Sequence, residues 1–252
     1  MKEKKLPNAA DFPSIKILDI PYFGGTLADA LRISVAHARE RRPLAVFTPG
    51  AVIAARAARE DGLLALLKRG DLILADGYGC RLAARLSGGT PPERIAGIDF
   101  AEALLGEVGT LPLRVFLYGG KAGVAERAAA RLRVRYPELI LAAENGFGDD
   151  PWRRISRFSP HIVCVCLGAE RQEAWILKHI ESIGGVMIGL GGSLDVWAGD
   201  VKRAPRLIQR VGLEWAYRTI REPRRLSRLF PLPAYFWKCL SSRRSSNCQK
   251  KE

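Results

Sequence analysis

Asp76 stands directly after the apolar run "LILA" and before Gly77 in "DGYG". A carboxylate that follows a buried strand and faces a polar cleft is suited to take a proton from a hydroxyl group, which is general base chemistry. Asp is also a common helix N-cap, so the same residue has a purely structural reading. Thr48 follows the run "LAVF" in the same way. Both side chains therefore stand where a sheet would present them at one edge.

Two glycine-rich stretches also follow apolar runs. "GGKAG" begins at Gly119 and "GGSLD" begins at Gly191. Glycines let a backbone approach a phosphate closely, and the N-terminus of a helix favours negative charge. Each stretch is equally typical of a tight turn between strand and helix. Asp195 ends the second stretch, where it would reach ribose hydroxyls or cap a helix.

Several other chemistries lack their signatures. The three histidines have no metal-ligand spacing, and no G-x-S-x-G or Walker motif is present. A D-x-D motif is also missing, so we expect any sugar-nucleotide chemistry to need neither metal nor other cofactor. Of the five cysteines, Cys164 and Cys166 lie in "HIVCVC", which reads as a buried strand, and we expect both to pack in the core.

Apolar runs alternate with helical patterns along the body of the chain. The runs predict strands over 15–20, 44–48, 72–75, 113–118, 139–143, 161–168 and 185–192, and helical spacing occupies 27–40, 51–69, 99–108, 121–135 and 170–182. Near-continuous apolar strands indicate a sheet that is covered on both faces. The alternation predicts an α/β fold, with a Rossmann-like, mostly parallel sheet, helices on both faces and a basic C-terminal helical appendage.

Charge divides the chain near residue 200. Residues 201–252 hold fourteen Lys and Arg against three Glu, so they carry +11 of the net +14. We therefore predict a flexible leader at 1–14, which lacks the apolar stretch of a signal peptide, a catalytic domain at 15–200, a basic membrane-associating appendage at 201–240 and a disordered tail at 241–252. No run approaches the roughly 18 apolar residues of a membrane-spanning helix.

The basic segment combines arginines with aromatic rings. Arg218, Arg221, Arg225 and Arg228 are spaced three or four apart, as on one side of a helix, although Pro223 should kink that helix. We expect the rings of Phe230, Tyr235, Phe236 and Trp237 at a membrane interface. Such a segment suits an anionic membrane surface, a ligand's phosphate groups or a nucleic acid.

Longer motifs carry a specific resemblance. "ADGYG", "ERIAGIDF", "VFLYGGKAGVAERAAARLRVRYPEL", "LGAERQEAWI" and "GLGGSLDVWAGDVKRAPRLIQRVGLEWAYRTIREPRRLSRLF" occur in that order. Together they resemble the WecG/TagA/CpsF group of bacterial glycosyltransferases, glycosyltransferase family 26. The resemblance runs from about residue 15 to about residue 237, and the block from Gly191 to Arg225 is its most specific part.

The resemblance implies an activity and its setting. Such enzymes move a sugar from a UDP-sugar to a polyprenyl-diphosphate-linked saccharide with inversion, at the cytoplasmic face of the bacterial plasma membrane. Their products serve teichoic acid, enterobacterial common antigen or exopolysaccharide synthesis. The resemblance places the catalytic base at Asp76, with Thr48 and Arg94 in the same pocket.

Binding residues follow from the same resemblance. In the family's Gln-Glu motif, Gln172 would face the nucleotide, and Asp195 would lie near the UDP. Together with the glycine turns, the implied donor set is Gly119, Gly120, Gln172, Gly191 and Asp195. The acceptor diphosphate or the membrane would contact Arg218, Arg221, Arg224 and Arg225.

Two departures from the family pattern leave some questions open. Gly50 stands where Asn is common, and Glu170 stands where Pro is common. The identity of the sugar, the acceptor saccharide and any homo-oligomer are therefore not fixed by the resemblance. An alternative is a nucleotide-binding module that binds nucleic acid through its basic tail, although no such motif is found in the body. A dinucleotide oxidoreductase would need a more complete glycine fingerprint.

Overall fold

The chain begins with a small antiparallel hairpin in the computed structural model. The structure describes residues 6–210, 212, 214–221, 226, 227 and 229–248. After a short 3-10 turn at Ala9–Asp11, strands β1 (Ser14–Ile17) and β2 (Ile20–Phe23) pair with each other. The prediction of one strand over 15–20 is wrong, because Leu18 and Asp19 take left-handed φ angles and reverse the chain.

Six parallel strands form the main sheet, as predicted. They are β3 (Leu44–Phe47), β4 (Leu72–Ile73), β5 (Arg114–Gly119), β6 (Ile140–Glu144), β7 (Ile162–Cys166) and β8 (Val186–Gly189). Their order across the sheet is β4-β3-β8-β7-β5-β6, and every neighbouring pair is parallel. All six carboxyl ends therefore lie at one edge of the sheet, where α/β folds bind ligands.

Helices connect these strands and continue beyond the last one. Their bounds are α1 (Leu27–Glu40), α2 (Ala51–Ala57), α3 (Asp61–Leu67), α4 (Tyr78–Leu86), α5 (Gly97–Val108), α6 (Val124–Arg135), α7 (Trp152–Phe158), α8 (Arg171–Ile183), α9 (Ser193–Ala198), α10 (Arg206–Arg210), α11 (Glu214–Arg221) and α12 (Leu232–Cys248). The single helix predicted over 51–69 is wrong, because Glu60 takes an extended conformation and caps α3.

Both faces of the sheet are covered by apolar residues. Helices α1, α5, α6 and α9 pack on one face, and α2, α3, α4, α7, α8 and α12 pack on the other. Successive strand residues alternate between the two cores, so that Cys164 joins the first core and Val165 the second. Cys164 and Cys166 are buried free thiols, which confirms the prediction that they pack in the core.

The C-terminal segment returns to the body of the fold. Helix α12 packs against α4 and α2, buries Tyr235 and Cys239, and lets Lys238 donate a 2.9 Å hydrogen bond to the carbonyl oxygen of Ala58. The predicted tail boundary at 241 falls within this helix. Of the helices in the described ranges, none combines the length and hydropathy that crossing a membrane demands.

Candidate active site

A cavity of about 620 Å³ opens at the carboxyl ends of β3, β4 and β8. Thr48, Asp76 and Arg94 all line it, although 46 residues separate the first from the last along the chain. These are the three residues to which the family resemblance assigns the catalytic pocket. Parallel neighbouring strands bring the first two together, because their carboxyl ends share one edge of the sheet.

Asp76 lines this cavity just beyond the end of β4. A parallel bridge joins it to Gly50, beyond the paired residues of β3 and β4. The N-cap of α4 is Gly77, whose φ of 91° favours glycine, so Asp76 is not the cap residue that one reading of the sequence allowed. A side-chain carbon at position 50 would lie only 3.0 Å from the carbonyl oxygen of Asp76. The glycine therefore permits this close backbone approach.

Thr48 is held by the neighbouring strand. Its hydroxyl donates a 2.7 Å hydrogen bond to the carbonyl oxygen of Gly189 at the end of β8. Helix α5 begins at Gly97, and a side-chain carbon there would lie 2.7 Å from the Thr48 hydroxyl oxygen. The positive end of the α5 dipole thus points to the same side of the cavity as the Thr48 hydroxyl.

Arg94 is fixed by two partners before any ligand binds. Its guanidinium lies over the ring of Tyr78 at 5.3 Å from the centroid and 3.8 Å from a carboxylate oxygen of Asp99. Asp99 also accepts a 2.6 Å hydrogen bond from Arg203, which in turn lies 3.9 Å from Glu214 on α11. A chain of alternating charges therefore connects Arg94 with the C-terminal segment.

Gln172 is buried beneath the loop that follows β8. Its side-chain oxygen accepts a 2.8 Å hydrogen bond from the backbone N–H of Gly191, and its amide nitrogen donates to Glu173 at 2.8 Å. Glu173 is only 2% exposed and also accepts from the backbone N–H of Glu170. Burial raises the pKa of the Glu173 carboxyl, and the hydrogen bond from Gln172 opposes this shift. The Gln-Glu pair thereby holds in place the loop after β8, whose residues Leu190 and Gly192 line the cavity.

The other predicted donor-binding residues lie farther along the same edge. Gly119 ends β5 and Gly120 follows it, and β5 is three strand positions from β3, or about 14 Å at the usual spacing. Both have positive φ angles, and a side-chain carbon on Gly119 would lie 2.3 Å from the carbonyl oxygen of Cys166. Asp195 lies in the first turn of α9, whose N-cap is Gly192, so it is not an N-cap either.

The C-terminal segment forms the opposite wall. Glu214, Trp215 and Thr219 of α11 line the cavity, and so does Phe236 of α12. Tyr235 is buried against the core, so the prediction that its ring lies at a membrane interface is wrong. Of the predicted arginines, Arg224 and Arg225 lie outside the described residues, and the side chains of Arg218 and Arg221 are likewise not described.

Some site residues are not identified by the sequence reasoning. Tyr78 lies two residues after Asp76 in "DGYG", and that proximity was the available signal for it. Gly97 and Arg203 lie within motifs that carry the resemblance, but their roles were not predicted, because they depend on contacts with Thr48 and Asp99 that form only on folding. Leu229 and Leu232 in the C-terminal wall of the cavity were also not predicted. The sequence reasoning interpreted their segment by its basic charge and not by its leucines.

Known proteins resemble this chain over most of its length. The family model described as "Glycosyl transferase WecG/TagA/CpsF family" matches residues 15–249. An N-acetylglucosaminyldiphosphoundecaprenol N-acetyl-beta-D-mannosaminyltransferase of Bacillus subtilis (strain 168) is 34% identical over 226 residues, which cover 87% of this chain and 88% of the relative. A protein of the same name from Staphylococcus aureus (strain MW2) is 33% identical over 208 residues, covering 80% and 81%.

Proposed function

The chain belongs to the WecG/TagA/CpsF family of glycosyltransferases, and from this premise we propose that it transfers N-acetylmannosamine from a UDP-sugar to N-acetylglucosamine on a polyprenyl diphosphate. The names of both relatives support the transferred sugar and the acceptor. The UDP donor and the inverting outcome are what the resemblance to the family implies. Membership of an enzyme family also disfavours the alternative of a nucleic-acid-binding module.

Asp76 acts as the general base in this proposal. An acceptor hydroxyl oxygen attacks the anomeric carbon of the donor while Asp76 takes the hydroxyl proton. The bond between the anomeric carbon and the UDP oxygen breaks, and its electron pair leaves with UDP. Attack from the face opposite the leaving group inverts the configuration, so an α-linked donor gives a β-linked product.

The growing charge on the leaving diphosphate needs positive partners. Arg94 lines the cavity, and its contacts with Tyr78 and Asp99 hold its guanidinium in place. The N-terminus of α5 and the glycine backbone after β8 supply N–H groups on the same side. Arginine suits this role because its planar group binds two phosphate oxygens at once.

The nucleotide extends along the edge of the sheet in this proposal. Gly191 and Asp195 contact the part nearest the cavity, and Gly119 and Gly120 contact the part farther away. Gln172 acts by holding the Gly191 N–H in place. Arg218, Arg221, Arg224 and Arg225 are proposed to bind the acceptor diphosphate or lipid headgroups.

We further propose that the chain binds the cytoplasmic face of the membrane peripherally. Phe230 and Trp237 expose most of their rings, at 74% and 67%, and they lie within the segment that carries the basic charge. Each cation near an anionic surface contributes roughly 1 kcal/mol. Vesicle flotation should show binding that needs anionic lipid and weakens when Phe230 and Trp237 are both changed to Ser. Val134→Ser removes another exposed apolar side chain, on α6, and should leave binding unchanged.

Convergence of Thr48, Asp76 and Arg94 in one cavity is the observation that carries the catalytic proposal. The test combines the purified full chain, UDP-N-acetylmannosamine and a short-chain N-acetylglucosaminyl diphosphate lipid. We expect UDP release together with a β-linked disaccharide, identified by NMR. UDP-glucose and UDP-N-acetylglucosamine serve as competing donors, and Asp76→Ala serves as the blank. An α-linked product, or equal turnover by the blank, would contradict the proposal.

A further inference from the structure

The cavity has an apolar side that the proposed chemistry does not use. Six side chains, which we call the apolar vestibule, line it from α2, α4, α12 and the turn before α12: Val52, Ile53, Leu82, Leu229, Leu232 and Phe236. A sugar nucleotide offers little hydrocarbon to such a surface. The vestibule is therefore matched to a different part of the reacting molecules.

Leu82 is the clearest member of this vestibule. It lies on α4 one turn after Tyr78 and is 46% exposed, whereas Ala83 and Ala84 beside it are buried. An exposed leucine alone is common on protein surfaces, but one that borders a cavity beside five further apolar side chains marks a binding surface. Contact with a hydrocarbon would remove this side chain from water, which is favourable in proportion to the area buried.

We propose that the apolar vestibule binds the first isoprenoid units of the lipid acceptor. This inference rests on the proposed function, which supplies a polyprenyl diphosphate as the acceptor. A diphosphate alone separates the acceptor sugar from its lipid chain, so the chain must begin close to the cavity that contains Asp76. The vestibule borders that same cavity, and its surface is hydrocarbon.

The wall that α12 contributes is firmly attached. Phe236 approaches the start of α4, since a side-chain carbon on Gly79 would lie 4.0 Å from its ring. The preceding residue, Tyr235, is buried in the core, and Lys238 bonds to the backbone after α2. The vestibule thus exists before the acceptor arrives, and a preformed apolar surface binds a chain at lower entropic cost.

The test is a series of soluble acceptors with one, two or three isoprene units on N-acetylglucosaminyl diphosphate, assayed without vesicles or detergent. We expect KM to fall as the chain lengthens. In Leu82→Ser, KM for the three-unit acceptor should rise about tenfold, as expected for losing contact with part of a leucine side chain. The Tm of Leu82→Ser should stay close to that of wild type, because this side chain is 46% exposed and adds little to the core.

Two control variants define the outcome. Leu82→Met keeps an apolar side chain and should retain the dependence on chain length, and Val134→Ser should leave it unchanged. Equal KM across the series would overturn the inference and leave the proposed function intact. The same fall of KM with chain length in Leu82→Ser as in wild type would do so too. A fall of KM with chain length that occurs only when vesicles are present would assign the effect to the bilayer and also overturn the inference. Failure of every acceptor to react would instead overturn the proposed function and this inference with it.

Discussion

The two halves of the sheet's carboxyl edge are built in opposite ways. At the ends of β4, β3 and β8, which we call the open half, a cavity is lined by glycines and short polar groups such as Thr48. At the ends of β7, β5 and β6, the closed half, side chains fill the space. The Tyr118 ring lies 4.9 Å from Trp175, and Asp150 accepts hydrogen bonds from Trp175 and His179 at 2.9 Å.

Along this edge, the open half provides room for a substrate, and the closed half contributes to the stability of the fold. The loop after β6 covers the closed half, where the Gly146 N–H bonds to the carbonyl oxygen of Gly120 at 3.0 Å. Asp150, Trp175 and His179 there are already joined by hydrogen bonds. In the open half, Asp76 and Arg94 border open space that a substrate can occupy. Substitutions in the open half should therefore lower the rate of transfer. In the closed half, the glycine turn at Gly119 and Gly120 is proposed to contact the nucleotide, and substitutions of the paired side chains should lower stability.

Asp76→Asn should show the largest effect on rate. Losing the base should lower kcat by about 10² to 10⁴-fold, the usual range for general base catalysis, with little change in Tm. Initial rates of UDP release measure this loss, and UDP binding by calorimetry verifies that the pocket is intact. Asp149→Asn changes an exposed carboxylate beyond β6 and should retain full activity. Comparable losses in both variants would break the distinction between the two halves.

Gly97→Ala should disturb the open half through a single methyl group. The new carbon would lie 2.7 Å from the Thr48 hydroxyl oxygen and displace it from Gly189. A misplacement of this size in an active site lowers the rate by up to about 10²-fold.

The matched control for this change lies on the same helix. A side-chain carbon on Gly106 would meet nothing within 4 Å. Gly106→Ala should therefore stabilise α5 by up to about 1 kcal/mol and leave the rate unchanged. If both alanines slowed the reaction equally, the close approach of α5 to Thr48 would not matter for transfer.

Asp150→Ala should have the reverse effect, in the closed half. It removes the acceptor for Trp175 and for His179, whose side chain is almost fully buried. Losing hydrogen bonds to a charged group costs about 1.5–3 kcal/mol, so Tm should fall by several degrees. Calorimetry measures the shift, and kcat at a temperature where both proteins are folded should be unchanged. Asp149→Ala should leave Tm nearly unaltered.

Glu173→Gln should give the smallest effect, seen in the pH dependence of stability. The folded protein raises the pKa of this carboxyl above its ordinary 4.5, so the unfolded chain loses the proton first as pH rises. The stability of the wild type should therefore decline relative to Glu173→Gln as pH rises from 4.5 through the folded pKa. Thermal unfolding across this window measures the difference, and Glu138→Gln, an exposed position, should show no such change. A difference with the opposite slope would contradict the raised pKa.

Much of the fold follows from the apolar runs. Strands such as β7 and β8 are short and fully buried, and apolar runs of this length favour a strand over a helix. The hairpin of β1 and β2 could not be seen, because its reversal depends on left-handed angles at Leu18 and Asp19 rather than on glycine. The break between α2 and α3 was not predicted either, although the pair Asp61-Gly62 directly after Glu60 is a common turn signal.

The candidate site was predictable where it depended on strand ends. Asp76 and Thr48 follow neighbouring parallel strands, so their placement around one cavity follows from topology. Contacts made by later elements were not predictable. Arg203 reaches Asp99 across a sequence separation of 104 residues, and Tyr235 is buried although its neighbours 236 and 237 are not. Which of these side chains is buried depends on how α12 is rotated about its axis. The sequence does not predict this rotation, because the arginines, serines and aromatic residues of α12 form no clear apolar face.

The anchoring of α12 limits how this enzyme can be divided or recombined. Tyr235 and Cys239 belong to the core beneath α4, and Phe236 forms part of the cavity wall. The basic segment therefore cannot be exchanged independently of the body. A chimera that joins this body to a relative's C-terminal segment would need compensating changes on α4 and α2. We expect the two parts to evolve together, so that a change of acceptor lipid would be accompanied by changes in the helices next to Asp76.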